Sequence, residues 1–182
     1  SLINVAPRTY AEIDAVLRPS RKDTTLMRFL AQEANNKNYY SGQAYALNQL
    51  GRRYRDISQF TQAINLHQAA LDASKAGNNL EFEVYSLNML SVIHRRRDAI
   101  KSALDYSQEA LSLAETVKKP SEGLKRSINV SLNGIGNIYQ TLEQYDLAID
   151  QFQKSLILEN ELGNKLGLAI NHQNIGECQE MQ

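Results

Sequence analysis

Apolar residues recur along most of the chain at the three- and four-residue spacing of amphipathic helices, and no segment alternates as a strand does. Ile13 and Leu17 belong to the first helix, which Pro19 ends, and Asp23 or Thr24 can cap the second. The full pattern predicts helices over residues 10–18, 23–36, 42–56, 59–76, 80–97, 99–117, 124–141, 143–162 and 165–180. The chain is therefore predicted to be all-α.

One pattern is repeated along the chain, and its copies are marked by Gly51, Ser91, Gly136 and Gly176, which we call the repeat markers. Each marker follows a Leu or Ile, and in the first three copies an Ala lies twelve residues later. The small markers are predicted to lie where two antiparallel helices approach closely. Such self-similarity predicts a stack of helix pairs, each burying its apolar faces against its neighbours.

The spacing between markers is not uniform, because it is 40 residues for the first and last intervals and 45 for the middle one. The five extra residues are predicted to fall near residues 118–123, where Pro120 and Gly123 end a helix and permit a longer loop.

Composition narrows the possible functions. The chain has 182 residues, with 20 basic and 20 acidic side chains, so net charge gives no general attraction to nucleic acid or membrane surfaces. Cys178 is the single cysteine, which excludes an internal disulfide or a CxxC site. No apolar run approaches the roughly 20 residues that cross a bilayer, and no signal-peptide pattern is visible.

The aligned residues resemble the tetratricopeptide repeat family. They are Leu50-Gly51-x-x-Tyr54, Leu90-Ser91 and Ile135-Gly136-x-x-Tyr139, each with its later alanine. The resemblance implies a right-handed superhelical solenoid of antiparallel helix pairs, although the family's tryptophan near the start of the first helix and the proline that usually ends the second helix are absent. It divides the chain into a lead-in with a degenerate capping helix pair (1–40) and a repeat array (41–182). The array's units are about 42–79, 80–120 and 124–163, with a final helix at 165–181.

A finer resemblance is carried by the segments GQAYALNQLGRRYR and SLNGIGNIYQTLEQYDLAI. They are similar to the sensor regions of Bacteroides-type bacterial regulators, in which the array precedes a membrane segment and a histidine kinase or LuxR-type domain. The resemblance implies a protein- or peptide-binding sensor of signal transduction on the periplasmic side of a membrane. A cytoplasmic scaffold for protein-complex assembly is the alternative.

Carboxamides lie three residues before each marker, at Asn48, Asn88, Asn133 and Gln173. The first helix of each tetratricopeptide pair lines the concave face, so these amides can form a ladder that holds an extended peptide backbone. Alternatively, they hydrogen-bond between adjacent pairs and orient the helices. Asn137 and Gln140, beside the third marker, are further candidates for this groove.

Arginines follow the first two markers, at Arg52, Arg55, Arg95 and Arg96. They can give the groove a positive field suited to an acidic partner, or form solvated helix ends that the helix dipole favours. Tyr45 and Tyr85, six residues before the same markers, can contact a ligand or pack between helices.

The histidines His67, His94 and His172 form no HxxxH or HxxE pair and are predicted to be partly buried packing residues. No nucleophile elbow or phosphate-binding loop occurs. We therefore expect no catalytic residue, metal site or cofactor, and a protein or extended peptide as the partner. A homodimer through the C-terminal helix is a further possibility, and we expect no direct nucleic-acid contact.

Overall fold

The computed structural model describes residues 1–182 and contains ten α helices and no strand. The helices are α1 (Leu2–Val5), α2 (Tyr10–Leu17), α3 (Thr24–Asn36), α4 (Tyr40–Asp56), α5 (Phe60–Ala76), α6 (Leu80–Arg96), α7 (Ile100–Glu115), α8 (Glu122–Thr141), α9 (Tyr145–Leu162) and α10 (Lys165–Met181). The predicted fold class, an all-α solenoid of packed consecutive helix pairs, is confirmed.

The N-terminal residues differ from the sequence prediction, which places no helix before residue 10. Residues 2–5 form the short helix α1, whose Asn4 N–H donates to the Ser1 hydroxyl. Leu2 and Ile3 pack against the first buried cluster, so contacts with the rest of the chain stabilise a helix too short to form alone. The prediction for α3 is confirmed, because the Asp23 carboxylate accepts the N–H of Leu26 at 3.0 Å.

The turns between helices share one geometry. The helices α4, α5 and α6 each span 17 residues and are separated by turns of three residues, so one turn follows another every 20 residues. The middle residue of these turns has a left-handed backbone, as at Asn38, Ser58, Asn78, Asp98 and Glu143. The left-handed residue closes the end of each helix and redirects the chain into the next one.

The five-residue insertion lies where the sequence predicts it. The connection between α7 and α8 covers residues 116–121, and α8 is 20 residues long instead of 17. The insertion therefore lengthens both the loop and the beginning of α8, where Ser121 accepts the N–H of Leu124 at 3.1 Å.

Gly51, Ser91 and Gly136 lie at close helix crossings, which confirms their predicted role, whereas Gly176 has open space beside it and does not. A Cβ added to Gly51 would lie 2.5 Å from the His67 ring, and one added to Gly136 would lie 2.6 Å from the Phe152 ring. In the middle pair the marker is a serine, and the Ser91 hydroxyl donates across the crossing to the carbonyl of Ala103 at 2.7 Å.

Consecutive helices from α3 to α10 pack as antiparallel neighbours, and α6 also packs against both α4 and α8. The intervening helices α5, α7 and α9 do not approach each other in this way. The stack is therefore tighter on the side of α4, α6 and α8, which we call the inner face, as expected for the concave side of a solenoid.

Candidate binding groove

One column of side chains, six residues before each marker, continues from the inner face to α10, and its exposure increases along the chain. Tyr45 is 0 % exposed, Tyr85 is half-buried, and Val130 and Ile170 are 44 % and 48 % exposed. Residues at equivalent positions of a repeat are expected to have equivalent surroundings. Another part of the protein therefore covers Tyr45 and Tyr85 and leaves Val130 and Ile170 exposed.

The cover is the N-terminal helix α2 of the chain itself. The ring of Tyr10 lies between those of Tyr45, Phe82 and Tyr85, with centroid distances of 5.3, 6.2 and 5.1 Å. The Gln49 amide donates to the Tyr10 hydroxyl at 3.2 Å. Offset and tilted aromatic pairs at these distances are favourable. The first two units thus hold a segment of their own chain in the groove.

The backbone before α2 is held by side chains at the starts of α4 and α6. The Tyr39 hydroxyl donates to the carbonyl of Pro7 at 2.6 Å, and the Asn79 amide donates to the carbonyl of Arg8 at 2.7 Å. The Arg8 guanidinium in turn donates to the carbonyl of Gly77 at 3.1 Å. Two of these contacts engage main-chain carbonyls of the segment, and the third depends on the side chain of Arg8.

Asp14 fixes α2 to α4. Its carboxylate is buried and accepts hydrogen bonds from the Tyr45 hydroxyl at 2.8 Å, Arg18 Nε at 2.9 Å and Arg21 Nη1 at 3.1 Å. Burial raises the pKa of Asp14, but the bonds from Tyr45, Arg18 and Arg21 outweigh it and hold this pKa below its usual value. Burial and the bond to Asp14 raise the pKa of Tyr45. The carboxylate is therefore charged and satisfied at neutral pH.

Glu81, at the start of α6, bridges α2 and α8. Its carboxylate accepts the N–H of Tyr10 at 3.3 Å, and a Cβ on Gly123 would lie 2.8 Å from the same oxygen. Burial raises the pKa of Glu81, although the bond from the Tyr10 backbone opposes the shift. The added turn of α8 therefore comes close to the N-terminal segment, with little space for a side chain at Gly123.

Two of the predicted groove amides, Asn48 and Asn88, lie between helix pairs. The Asn48 amide donates to the Ser86 hydroxyl at 3.0 Å, and the Asn88 amide donates to the carbonyl of Ser127 at 3.0 Å. The Asn88 oxygen also accepts the Ser131 hydroxyl at 2.8 Å. Both side chains are buried, so their geometry is that of the alternative role, in which they orient adjacent units.

The other two amides have different surroundings. The side-chain oxygen of Asn133 is buried and has no hydrogen-bond partner, whereas Gln173 is exposed and donates to Glu177 at 2.8 Å. Asn137 and Gln140 are half-buried on α8. The structure does not bring the four amides together as one continuous ladder, because only two of them share the same inter-unit environment.

The predicted arginines also separate into two groups. Arg55 donates to Asp56 at 3.1 Å, and Arg52 donates to Gln49 at 3.4 Å, so both are engaged near the end of α4. Arg95 and Arg96 are exposed at the end of α6 and form no ion pair. Of these four arginines, only Arg95 and Arg96 are both exposed to solvent and without an ion-pair partner.

A cleft on the inner face was missed by sequence reasoning. It has a volume of about 580 Å³ and lies between α2, α6 and α8. Tyr85 and Met89 come from α6, Tyr10 from α2, Val130 from α8, and Arg126 stands near the added turn. One feature of the sequence could have indicated the contact of α2 with another element. Asp14 interrupts the apolar face that contains Tyr10, Ile13 and Leu17, and a carboxylate buried on that face requires hydrogen-bond donors from elsewhere in the chain.

His67 and His94 are packing residues as predicted, whereas His172 is exposed on α10 and the prediction for it is wrong. His67 Nδ1 lies 2.8 Å from the Asn48 oxygen, and the His94 ring stacks on Tyr106 with a centroid distance of 5.1 Å. No three metal-ligating side chains are grouped closely enough to hold an ion. None of the helices has both the length and the apolar character required to span a bilayer.

Comparison with known proteins supports the repeat architecture of helices α4 to α7. The sequence model of the tetratricopeptide repeat family matches residues 43–79 and 84–117, which contain α4 to α7. Both segments match this family. No curated protein matches the chain. Tetratricopeptide repeats are protein-interaction modules, so the match supports interaction with proteins as the general role of these two segments.

Two solved structures share the fold of this chain. BtubC (BKLC) from P. vanneervenii superposes with a TM-score of 0.71 and 18 % identity over 92 % of this chain and 69 % of its own. A putative kinesin light chain from Podosopora anserina, with nearly identical TPR-like repeats, has a TM-score of 0.53 and 18 % identity over 91 % of this chain and 90 % of its own. Neither of these structures is that of a Bacteroides-type regulator, so the finer sequence resemblance is not confirmed.

Proposed function

We propose that this protein is a peptide-binding tetratricopeptide module whose partner docks on the part of the inner face that α2 leaves open. The observation that carries the proposal is the increasing exposure of the column from Tyr45 to Val130 and Ile170. Apolar side chains on the concave side of a repeat stack gain by excluding water when a partner covers them. The neighbouring Asn137 and Gln140 supply polar groups for a peptide backbone.

The chemistry of the cleft favours binding over catalysis. Its two most buried carboxylates are already used within the protein, since Asp14 holds two arginines and a tyrosine and Glu81 holds the N–H of Tyr10. A general acid or base must be able to reach the substrate with a free position. These carboxylates instead support α2.

Selection from a random peptide library tests the proposed surface. Peptides selected on the wild-type protein are expected to bind Val130→Asp at least tenfold more weakly, because the charge enters an apolar contact. Ile157→Asp is the matched control, since Ile157 is an exposed aliphatic residue (64 %) on α9, outside the inner face. Equal affinity of the selected peptides for all three proteins would exclude the inner face as the binding surface.

The proposed partner includes an acidic segment near the arginines. Arg95 and Arg96 are exposed and unpaired, which supports attraction of carboxylates at the end of α6. The double variant Arg95→Glu with Arg96→Glu is expected to weaken the binding of an acidic peptide and to leave the binding of a neutral peptide unchanged. Unchanged affinity for acidic peptides, measured at low and high salt, would contradict this part of the proposal.

The wider role that we propose is the sensory region of a bacterial signal-transduction or transcriptional regulator, with a cytoplasmic scaffold as the alternative. This rests on the sequence resemblance. Binding would change the curvature of the stack or its self-association and so act on an output domain. The gene sequence on both sides of residues 1–182 tests it, because a regulator requires a kinase or DNA-binding region in the same reading frame.

Self-association through α10 is supported by Leu166 and Met181, which are 72 % and 64 % exposed. Sedimentation equilibrium of the wild type and of Leu166→Glu tests this contact. A dimer that the substitution dissociates supports it, and a wild-type monomer at high concentration contradicts it.

A further inference from the structure

The cleft between α2 and α8 occupies the same position in the repeat as the site that holds Tyr10. Moving one unit along the chain carries Tyr45 to Tyr85 and Gln49 to Met89, both 40 residues later. The same step carries Phe82 to Ser127 and Tyr85 to Val130, both 45 residues later because of the insertion. All four of these successor residues line the cleft: Tyr85, Met89, Ser127 and Val130. The protein therefore has two equivalent sites, the first filled by its own helix and the second open.

The second site has room because its walls are smaller. Ser127 and Val130 stand where the first site has Phe82 and Tyr85, whose rings contact Tyr10 at 6.2 and 5.1 Å. Replacing two rings by a hydroxymethyl and an isopropyl group removes many atoms from the walls. The resulting space, about 580 Å³, accommodates a large side chain together with part of the helix that carries it.

The base of the second site is apolar where that of the first is polar. Gln49 donates to the Tyr10 hydroxyl at 3.2 Å, and Met89 takes its place in the second site. The nearby Asn88 amide is already bound to the carbonyl of Ser127 and to the Ser131 hydroxyl. A hydroxyl on the incoming ring would therefore meet Met89 where the Tyr10 hydroxyl meets the Gln49 amide, which disfavours tyrosine relative to the first site.

The edge of the site changes as well. Glu81, which accepts the N–H of Tyr10, is replaced one unit later by Arg126, and Arg126 pairs with Glu122 at 2.6 Å. An arginine cannot accept a backbone N–H. The incoming segment is therefore held chiefly by its anchoring side chain, and less by its first turn than α2 is.

We propose that the cleft binds an amphipathic helix of a partner protein through a single phenylalanine, inserted between Tyr85 and Val130 over Met89. The mode is the one that α2 displays one unit earlier, with the hydroxyl of the anchor removed. This inference rests on the proposed binding function and specifies its ligand. It commits to a helical occupant, because the occupant of the equivalent site is a helix that begins at its anchor, Tyr10.

The probe is a fluorescein-labelled peptide with the sequence of residues 7–18 in which Tyr10 is replaced by phenylalanine. Its N-terminal capping is retained, because the Thr9 side chain accepts the N–H of Glu12 in the parent segment. Fluorescence anisotropy with the full chain is expected to show binding of the phenylalanine peptide. The tyrosine peptide should bind about five- to tenfold more weakly, and an alanine peptide should not bind measurably.

Two variants locate the site. Val130→Asp is expected to weaken the phenylalanine peptide at least tenfold, while Ile157→Asp leaves it unchanged. Met89→Gln restores the side chain of the first site, so it should reverse the preference and favour the tyrosine peptide. This exchange of specificity requires no loss of stability, and thermal melting of each variant checks that the fold is retained.

The outcomes separate this inference from the general function. It is overturned if the phenylalanine peptide fails to bind, if it binds Val130→Asp as well as the wild type, or if Met89→Gln does not reverse the preference. If the affinity of library-selected peptides is still reduced by Val130→Asp in any of these cases, the proposed function stands and only the helical phenylalanine ligand is wrong. If neither class of peptide depends on Val130, both proposals fail.

Discussion

The buried histidine His67 makes the stability of the array depend on pH in a way that can be measured. Its ring is fully buried against Gly51, and its Nδ1 lies 2.8 Å from the oxygen of Asn48. Burial, with the charges of Arg55 and Arg52, lowers the pKa of His67 to about 3. The folded protein therefore keeps this imidazole neutral throughout the mildly acidic range.

The sign of the effect follows from where the proton binds. In the unfolded chain a histidine has a pKa of about 6.5, so below that pH the unfolded state takes up a proton that folded His67 does not. This contribution to stability is complete above pH ~6.5 and is lost as the pH falls towards about 3. The loss is about 1.4 kcal/mol for each pH unit, or about 2–3 kcal/mol between pH ~6.5 and ~4.5.

Urea unfolding followed by circular dichroism measures this loss, at about pH 7 and about pH 4.5, for the wild type and for His67→Phe. Phenylalanine is a suitable replacement because Phe152 occupies the equivalent place in the third unit, against Gly136. Carboxylates titrate in both proteins, so their contribution cancels in the comparison. The wild type is expected to lose about 2–3 kcal/mol more than the variant on acidification. Equal losses would show that burial does not keep this histidine neutral.

Two further predictions follow from the same packing. Gly136→Ala should cost about 1–3 kcal/mol of stability, because the added Cβ would lie 2.6 Å from the Phe152 ring, and an unchanged melting temperature would refute the close approach. Asp14→Ala should release α2 by removing the acceptor of three hydrogen bonds, so amide exchange over residues 10–17 should rise at least tenfold while that of α8 stays constant. Equal protection of residues 10–17 in wild type and variant would show that Asp14 does not fix the helix.

The sequence by itself determined the helices, their order and the sites of closest approach. Apolar spacing predicts each long helix to within a few residues, because burial of one face is a local property of the sequence. Gly51 and Gly136 could be assigned to helix crossings because their repetition aligns them with one structural position. The five-residue insertion near Pro120 was also readable, since residues that end helices have local effects.

The tertiary structure alone decided which side chains the groove presents. Asn48 lies three residues from Tyr45 on the same helix, and both are near the boundary between the inner face and the contact with the next unit. A small rotation of the helix in the stack decides whether such an amide meets a ligand or a neighbour, and here it meets Ser86. Local spacing cannot specify that rotation.

The position of α2 could not be predicted from the sequence either. Periodicity predicts a helix at residues 10–18, but a helix with an apolar face can pack against any complementary surface. Its place on the inner face depends on the rings of Tyr45 and Tyr85, which lie 35 and 75 residues after Tyr10 and come together only when the units stack. The sequence therefore determined the repeated scaffold, and long-range packing decided which part of its groove is filled by the chain and which part is open.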